Sequence, residues 1–260
     1  MNALLMSLAA MLIGYFIKTV IYWYRGKRRT SGQSALLHGF DGPTKFVFPP
    51  RENVERAILP RISTEDFMAI NNVISAFINI KKDPPSKMVD SLNITPQDKK
   101  ENNLILICSS KTNAVTAEAL DLLRKANPDN SEYIPIFYTD PYTNKTVIRW
   151  NRGEYASNSF DQSGGPMDDM AIILKAKNPW ASNLNILIVA GIRGIGTWGA
   201  AECLKKWWQP IYSEKASQKK KGSSKYGSFV ALLGINYDEY DIKEAKLIAL
   251  KDLDSTLNSK

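Results

Sequence analysis

Asn185–Trp208, NILIVAGIRGIGTWGAAECLKKWW, is the stretch on which the fold turns. It reads as an apolar strand, then a glycine-rich turn, then a helix from about Thr197 to Trp208. An unbroken aliphatic run bounded by glycine suits a strand buried on both faces. Gly194, Gly196 and Gly199 follow the spacing G-x-G-x-x-G. In dinucleotide folds the first such glycine permits a tight turn and the second lets a pyrophosphate approach the backbone. The third lets the helix pack closely. A helix that starts there offers free N–H groups and the positive end of its dipole to an anion. Two features depart from that pattern. The turn carries an additional Gly191 and Arg193, and no acid follows at the usual distance of about 20 residues; the nearest strand-end acid is Asp238. The turn is therefore read as an anion site more than as a dinucleotide site. Arg193 supplies a cation beside the helix start, which suits phosphate or carboxylate. The competing reading is that the glycines only turn the chain and Arg193 is solvated.

Working outward, NLILICSS at Asn103–Ser110 is a second continuous apolar run, and KTNAVTAEALDLLRKANPD after it reads as a helix of about 14 residues. Its connection, SSKTN, also joins a strand end to a helix start. If the two strands are neighbours, Ser109, Ser110, Lys111, Thr112 and Arg193 converge on one crevice, together with Gly191, Gly194, Gly196, Thr197 and Trp198. Trp198 would stack on a base. The plainer reading is that Thr112 or Asn113 caps the helix. No Walker A pattern is present. GSFVALLGIN at Gly227–Asn236 is a third apolar strand. STEDFMAINNVISAFINI opens with a capping-box pattern at Ser63 and Asp66 and reads as a helix. YIPIFYTD and KTVIRW suit a hairpin, DMAIILKAKN is a further strand, and DIKEAKLIAL is either an edge strand or a short helix. The expected fold is α/β: a Rossmann-like mixed sheet with helices on both faces over residues 46–255.

Ala3–Tyr24 is apolar for 22 residues apart from Lys18 and Thr19, and about 20 residues span a bilayer core. Tyr22, Trp23 and Tyr24 form an interfacial belt, and RGKRR follows. Residues 1–29 hold five basic side chains and no acid, whereas the rest of the chain holds 29 basic and 26 acidic ones. The net charge of +8 is thus largely a juxtamembrane feature, and specific nucleic-acid binding is not expected. A cleaved signal peptide would carry its basic residues before the apolar core; here they come after it. Residues 1–29 are read as an anchor in a bacterial inner membrane, N-terminus outside, and residues 30–45 as a linker to a cytoplasmic domain. The lysine run Lys219–Lys225 is read as a solvated loop.

Cys108 and Cys203 form no C-x-x-C pair and are read as buried reduced thiols, so no metal site is expected. The single histidine, His38, lies in the linker, which leaves little basis for a Ser-His-Asp site. The polar loop NRGEYASNSFDQSGGPMDD holds Glu154, Tyr155, Asp161, Asp168 and Asp169. A carboxylate there, Glu154 being the weak catalytic candidate, would serve glycosidic-bond chemistry on a nucleotide or NAD.

ILPRISTEDFMAINNVI, NLILICSSKTN and LIVAGIRGIGTWGAAECL together resemble an uncharacterised bacterial family of Rossmann-like domains. The resemblance implies the fold and assigns no catalytic residue or cofactor. A small tethered domain is similar in layout to membrane-anchored sensors and effectors of bacterial defence or stress systems. The expectation is a membrane-tethered sensor of a nucleotide-like or other anionic small molecule, in a homo-oligomer or with a membrane partner. The alternatives are a glycohydrolase or transferase, and a non-catalytic scaffold.

Overall fold

One sheet organises the molecule, half of it parallel and half antiparallel, and the strand that precedes the glycine turn is the boundary. The computed structural model describes residues 32–50, 62–157, 167–218, 227–238 and 241–254. The strands are β1 (Thr44–Phe48), β2 (Lys87–Asp90), β3 (Asn103–Ile107), β4 (Ile136–Thr139), β5 (Thr146–Trp150), β6 (Gly153–Ala156), β7 (Met167–Asn178), β8 (Ala181–Gly191), β9 (Phe229–Asp238) and β10 (Asp241–Asp252). The helices are α1 (Thr64–Asn79), α2 (Pro96–Glu101), α3 (Ala114–Ala126), α4 (Gly194–Lys206) and α5 (Gln209–Ser217). Seven strands run in the order β10-β9-β7-β8-β3-β1-β2, and β4-β5-β6 form a separate antiparallel sheet. β8, β3, β1 and β2 are mutually parallel, while β7 is antiparallel to both β8 and β9. The parallel strands therefore define a carboxyl edge, where they end, and an amino edge, where they begin. This mixed α/β arrangement is consistent with a Rossmann-like fold.

Alternation sorts the apolar residues of each strand to two faces. Leu187 and Val189 of β8 join Ile105 and Ile107 of β3 under α1 and α4, which contribute Ile70, Val73, Phe77, Ala200 and Leu204. Ile186, Ile188 and Ala190 join Leu104 and Leu106 on the other face, against Val115, Ala119 and Leu120 of α3 and Ile148 and Trp150 of β5. Helices thus cover both faces. The β3 and β8 core residues are fully buried, each worth about 1.5–3 kcal/mol relative to exposure. α1 is capped by Ser63, whose hydroxyl accepts from Asp66 N. α2 opens on a capping box of Thr95 and Asp98.

Four features refine the sequence reading. α4 starts at Gly194, so Gly194 and Gly196 lie within the helix with Gly199 and not ahead of it. Gly153–Ala156, part of the expected polar loop, is strand β6 and pairs with β5. DIKEAKLIAL is edge strand β10, antiparallel to β9. Residues 32–40, within the expected linker, pack into the domain: Ala35, Leu36, Leu37 and Phe40 are buried. Among the described residues no helix is long and apolar enough to cross a membrane; Ala3–Tyr24 and the run Lys219–Lys225 lie outside them.

Candidate functional site

β3 and β8 are parallel neighbours, so the turns that leave them lie side by side at the carboxyl edge. Leu104–Ile107 pair with Ile186–Val189, and Cys108 N donates to Val189 O at 3.0 Å. Each turn delivers the chain to a helix start whose first N–H groups lack intrahelical partners. What those N–H groups meet decides whether an anion has a place.

After β3, Asn113 caps α3. Its Oδ1 accepts from Val115 N (3.1 Å) and Thr116 N (3.2 Å), and its Nδ2 donates to Val47 O (3.1 Å) and Ile107 O (2.8 Å). The side chain is fully buried and tethers the helix start to both β1 and β3. Ser109 is buried, and its carbonyl accepts from Thr112 N and Asn113 N. Lys111 and Thr112 are exposed and Ser110 is half-buried; Lys111 Nζ donates to Thr146 Oγ1 at 2.7 Å.

After β8 the arrangement differs. Arg193 is the N-cap position of α4, with no side-chain cap of its own. The cap comes from Asp169 on β7, which overshoots the Ala171–Gly191 pair at the carboxyl edge. Asp169 Oδ2 accepts from Arg193 N (3.0 Å) and Gly196 N (2.9 Å). Its Oδ1 accepts from Met170 N (2.8 Å) and from Ser157 Oγ. The carboxylate is fully buried. Burial drives its pKa up to about 6 in spite of those donors, with Ser157, the Met170 and Arg193 N–H groups and the Arg193 charge pulling the other way. Thr197 locks the loop: its Oγ1 accepts from Gly191 N at 2.9 Å. The protein's own carboxylate thus sits where the sequence reading puts an external anion.

Each glycine has a packing partner here. A Cβ on Gly191 would collide with the backbone of Gly196 and Thr197, one on Gly196 with Asp169, and one on Gly199 with Ile235 of β9. On Gly194 it would press on Glu65 of α1. Arg193 is half-buried, and its Nη1 donates to Tyr237 Oη at 3.3 Å. Trp198 is half-buried against the core under α1 and α4.

The structure therefore brings together Ser109, Ser110, Lys111, Thr112, Gly191, Arg193, Gly194, Gly196 and Thr197 at one edge. Asp169 stands among the acids of the long loop in the sequence, but its role as the cap of a helix from two strands away is what sequence reasoning missed. Its only local sign is an acid at the start of an apolar strand, a position that otherwise reads as solvated.

Glu154 sits elsewhere, exposed on β6. Arg149 Nη2 donates to it at 2.8 Å, and the Tyr138 hydroxyl and Arg149 together hold its pKa below the ordinary glutamate value. Cys108 closes β3 with a positive φ of 81°, its thiol 2.9 Å from Thr112 Oγ1. Burial, then the charge of Asp66, pushes that thiol up to about 11. Burial raises Cys203 to about 12. Both are neutral thiols at physiological pH and weak nucleophiles. Among the described residues no three His, Cys, Asp or Glu side chains gather as a metal site. No protein-family model, curated protein or solved structure matches this chain.

Proposed function

We propose that this chain is a membrane-tethered, non-catalytic Rossmann-like domain that works as an interaction or scaffold unit of a membrane assembly. Residues 1–29 would form its inner-membrane anchor, with the domain on the cytoplasmic side. The observation that carries this reading is the buried Asp169 carboxylate across the Arg193 and Gly196 N–H groups. A phosphate at that helix start would have to displace a carboxylate or sit beside it, and two like charges a few ångströms apart repel. The glycines are accounted for by close approach within the fold. The tether reading draws on the sequence: an apolar span, an aromatic belt and a basic flank in that order.

A second reading keeps the carboxyl edge as a binding crevice for a nucleotide-like anion, held by the rim residues Ser110, Lys111 and Arg193. It is favoured by one specific observation, the adjacency of the two turns at the ends of parallel neighbours, the usual location of ligands in open α/β sheets. Thermal unfolding of the detergent-solubilised full chain separates the two. A ligand at 100 times its dissociation constant adds about 2.7 kcal/mol, which moves the midpoint by several degrees. The scaffold reading expects no shift with ATP, GTP, NAD or inorganic phosphate. A shift abolished in Arg193→Ala would overturn it in favour of the crevice.

A further inference from the structure

The opposite edge of the sheet has a different character. Residues 32–43 run along the amino edge before entering β1. Gly32 packs on the Trp208 ring beyond the end of α4, and Gln33 Nε2 donates to Leu204 O at 2.7 Å. The Gly39 carbonyl accepts from Asn185 Nδ2 at 2.7 Å, and the Phe40 ring meets Phe77 edge-on at 6.2 Å. The chain thus enters the domain at this edge. Gly32 follows the basic run that ends at Arg29 by three residues, and three residues of extended chain reach at most about 10 Å. A tether that short would hold the amino edge against whatever surface holds the basic run.

This edge is lysine-rich and holds a cavity. Lys81 and Lys82 follow the end of α1, Lys87 opens β2, and Lys177 is the last residue but one of β7. Lys81, Lys87 and Lys177 are exposed, and Lys82 Nζ is 2.6 Å from Asp41. Lys81, Lys82 and Lys87, together with Asp41 and Asp83, line an open pocket of about 680 Å³ between the 38–44 segment and the 80–87 loop. Burial first, then the charges of Lys175 and Lys82, hold the His38 pKa below the ordinary histidine value, against the pull of Asp41. At the carboxyl edge, by contrast, Glu65, Asp238 and Asp241 mark helix and strand ends. Lys111, Arg193 and Lys243 stand at that edge too; what sets the amino edge apart is that its exposed lysines lie where the chain arrives.

We propose that the amino edge, through the exposed Lys81, Lys87 and Lys177, is a docking surface for the acidic phospholipid headgroups of the membrane that holds the tether. This rests on the reading of residues 1–29 as an anchor. Attraction to an acidic leaflet decays within a Debye length, about 8 Å at physiological ionic strength. The proposal requires that the short connection bring these lysines within that distance of the leaflet.

The test uses the full chain in nanodiscs of phosphatidylcholine alone or with 30% phosphatidylglycerol (roughly the density at which an acidic surface potential develops), probed by lysine acylation and mass spectrometry. The expected result is acylation of Lys81 and Lys87 slowed at least threefold by the acidic lipid and restored by 0.5 M salt, with Lys111 and Lys243 at the other edge unchanged. The double variant Lys81→Glu/Lys87→Glu, checked for an unchanged melting midpoint, should lose the protection of Lys177. Equal acylation in both discs overturns the docking surface while leaving the anchor intact. Protection produced by 10 mM inorganic phosphate in neutral discs overturns the lipid as its source. Failure of the chain to co-elute with either disc overturns the anchor, and the docking surface with it.

Discussion

The turns after β3 and β8 solve one physical problem in two ways. Both bring an apolar strand to a helix start at the same edge of one sheet, and both must satisfy N–H groups buried with it. After β3 the cap is local and neutral: Asn113, next to the helix it caps, both accepts and donates. After β8 it is remote and ionisable: Asp169, supplied by β7, only accepts. The census of neighbours sets the difference. Asn113 faces two N–H groups and two carbonyls, whereas Asp169 faces three N–H groups and a hydroxyl. An amide fits the first environment and a carboxylate the second.

Reversing the first choice should cost most. Asn113→Asp would aim a buried carboxylate oxygen at the Val47 and Ile107 carbonyls, where Nδ2 now donates. Unpaired buried charge of this kind destabilises by about 3–5 kcal/mol. Urea unfolding followed by circular dichroism would check it. A loss below 1 kcal/mol would mean that the turn relaxes freely and that its burial is not structural.

Gly191→Ala sharpens the contrast from the other turn. Its Cβ would meet backbone atoms of Gly196 and Thr197, and no flexible side chain can yield. The expected loss is about 3 kcal/mol, at the upper end for overpacking. Ser110→Ala, on the half-buried part of the β3 turn, should change stability by less than about 0.5 kcal/mol. Similar losses in the two variants would sink the claim that the glycines are there for close approach.

How far these features can be read in the chain follows from the range of the interactions. The stretches Leu104–Ile107, Ile186–Ala190 and Phe229–Leu233 within β3, β8 and β9 are apolar at every position, so their burial on two faces shows in the composition. The helix after Asn113 is visible because its cap is a neighbour in sequence. The cap of α4 is not, because Asp169 acts on Arg193 and Gly196 from 24 and 27 residues away through strand pairing. A glycine that lets a ligand approach and one that lets Ile235 or Asp169 approach leave the same letter in the sequence. β6 was hidden for a similar reason: four residues with half-buried and exposed positions alternating carry little signal apart from their partner β5.

Titration gives a smaller effect with a distinctive sign. The folded-state pKa of Asp169, about 6, lies above the 3.8 of the unfolded chain. Its contribution to stability is therefore fully present below about pH 3.8 and is lost as pH rises through about 6. Asp169→Asn has no such titration, but its amide would oppose donors at one oxygen position, costing about 1–3 kcal/mol. The variant should be less stable than the wild type at pH 4, and the gap should narrow by pH 7.5 as the wild-type carboxylate ionises. Midpoints of the two proteins measured in parallel across this range isolate the residue from the other titrating groups. A gap that widens with pH would mean that the four donors outweigh burial and that the ionised cap is favoured.

The smallest change is expected where a carboxylate is fully hydrated. Glu154, like Asp169, has a hydroxyl and a basic group beside it, but it lies at the surface. Its partner Arg149 is half-exposed, as is Glu154 itself, and the Tyr138 hydroxyl and Arg149 hold its pKa below the ordinary glutamate value. Solvent screens such a pair, so Glu154→Gln should leave the unfolding midpoint unmoved. A group held below its ordinary pKa is also poorly matched to proton transfer near neutrality, so the variant should leave unchanged any nucleotide or NAD turnover followed by mass spectrometry. Turnover that the wild type supports and Glu154→Gln abolishes would make the exposed sheet β4-β5-β6, and not the buried turns, the chemically active region of the molecule.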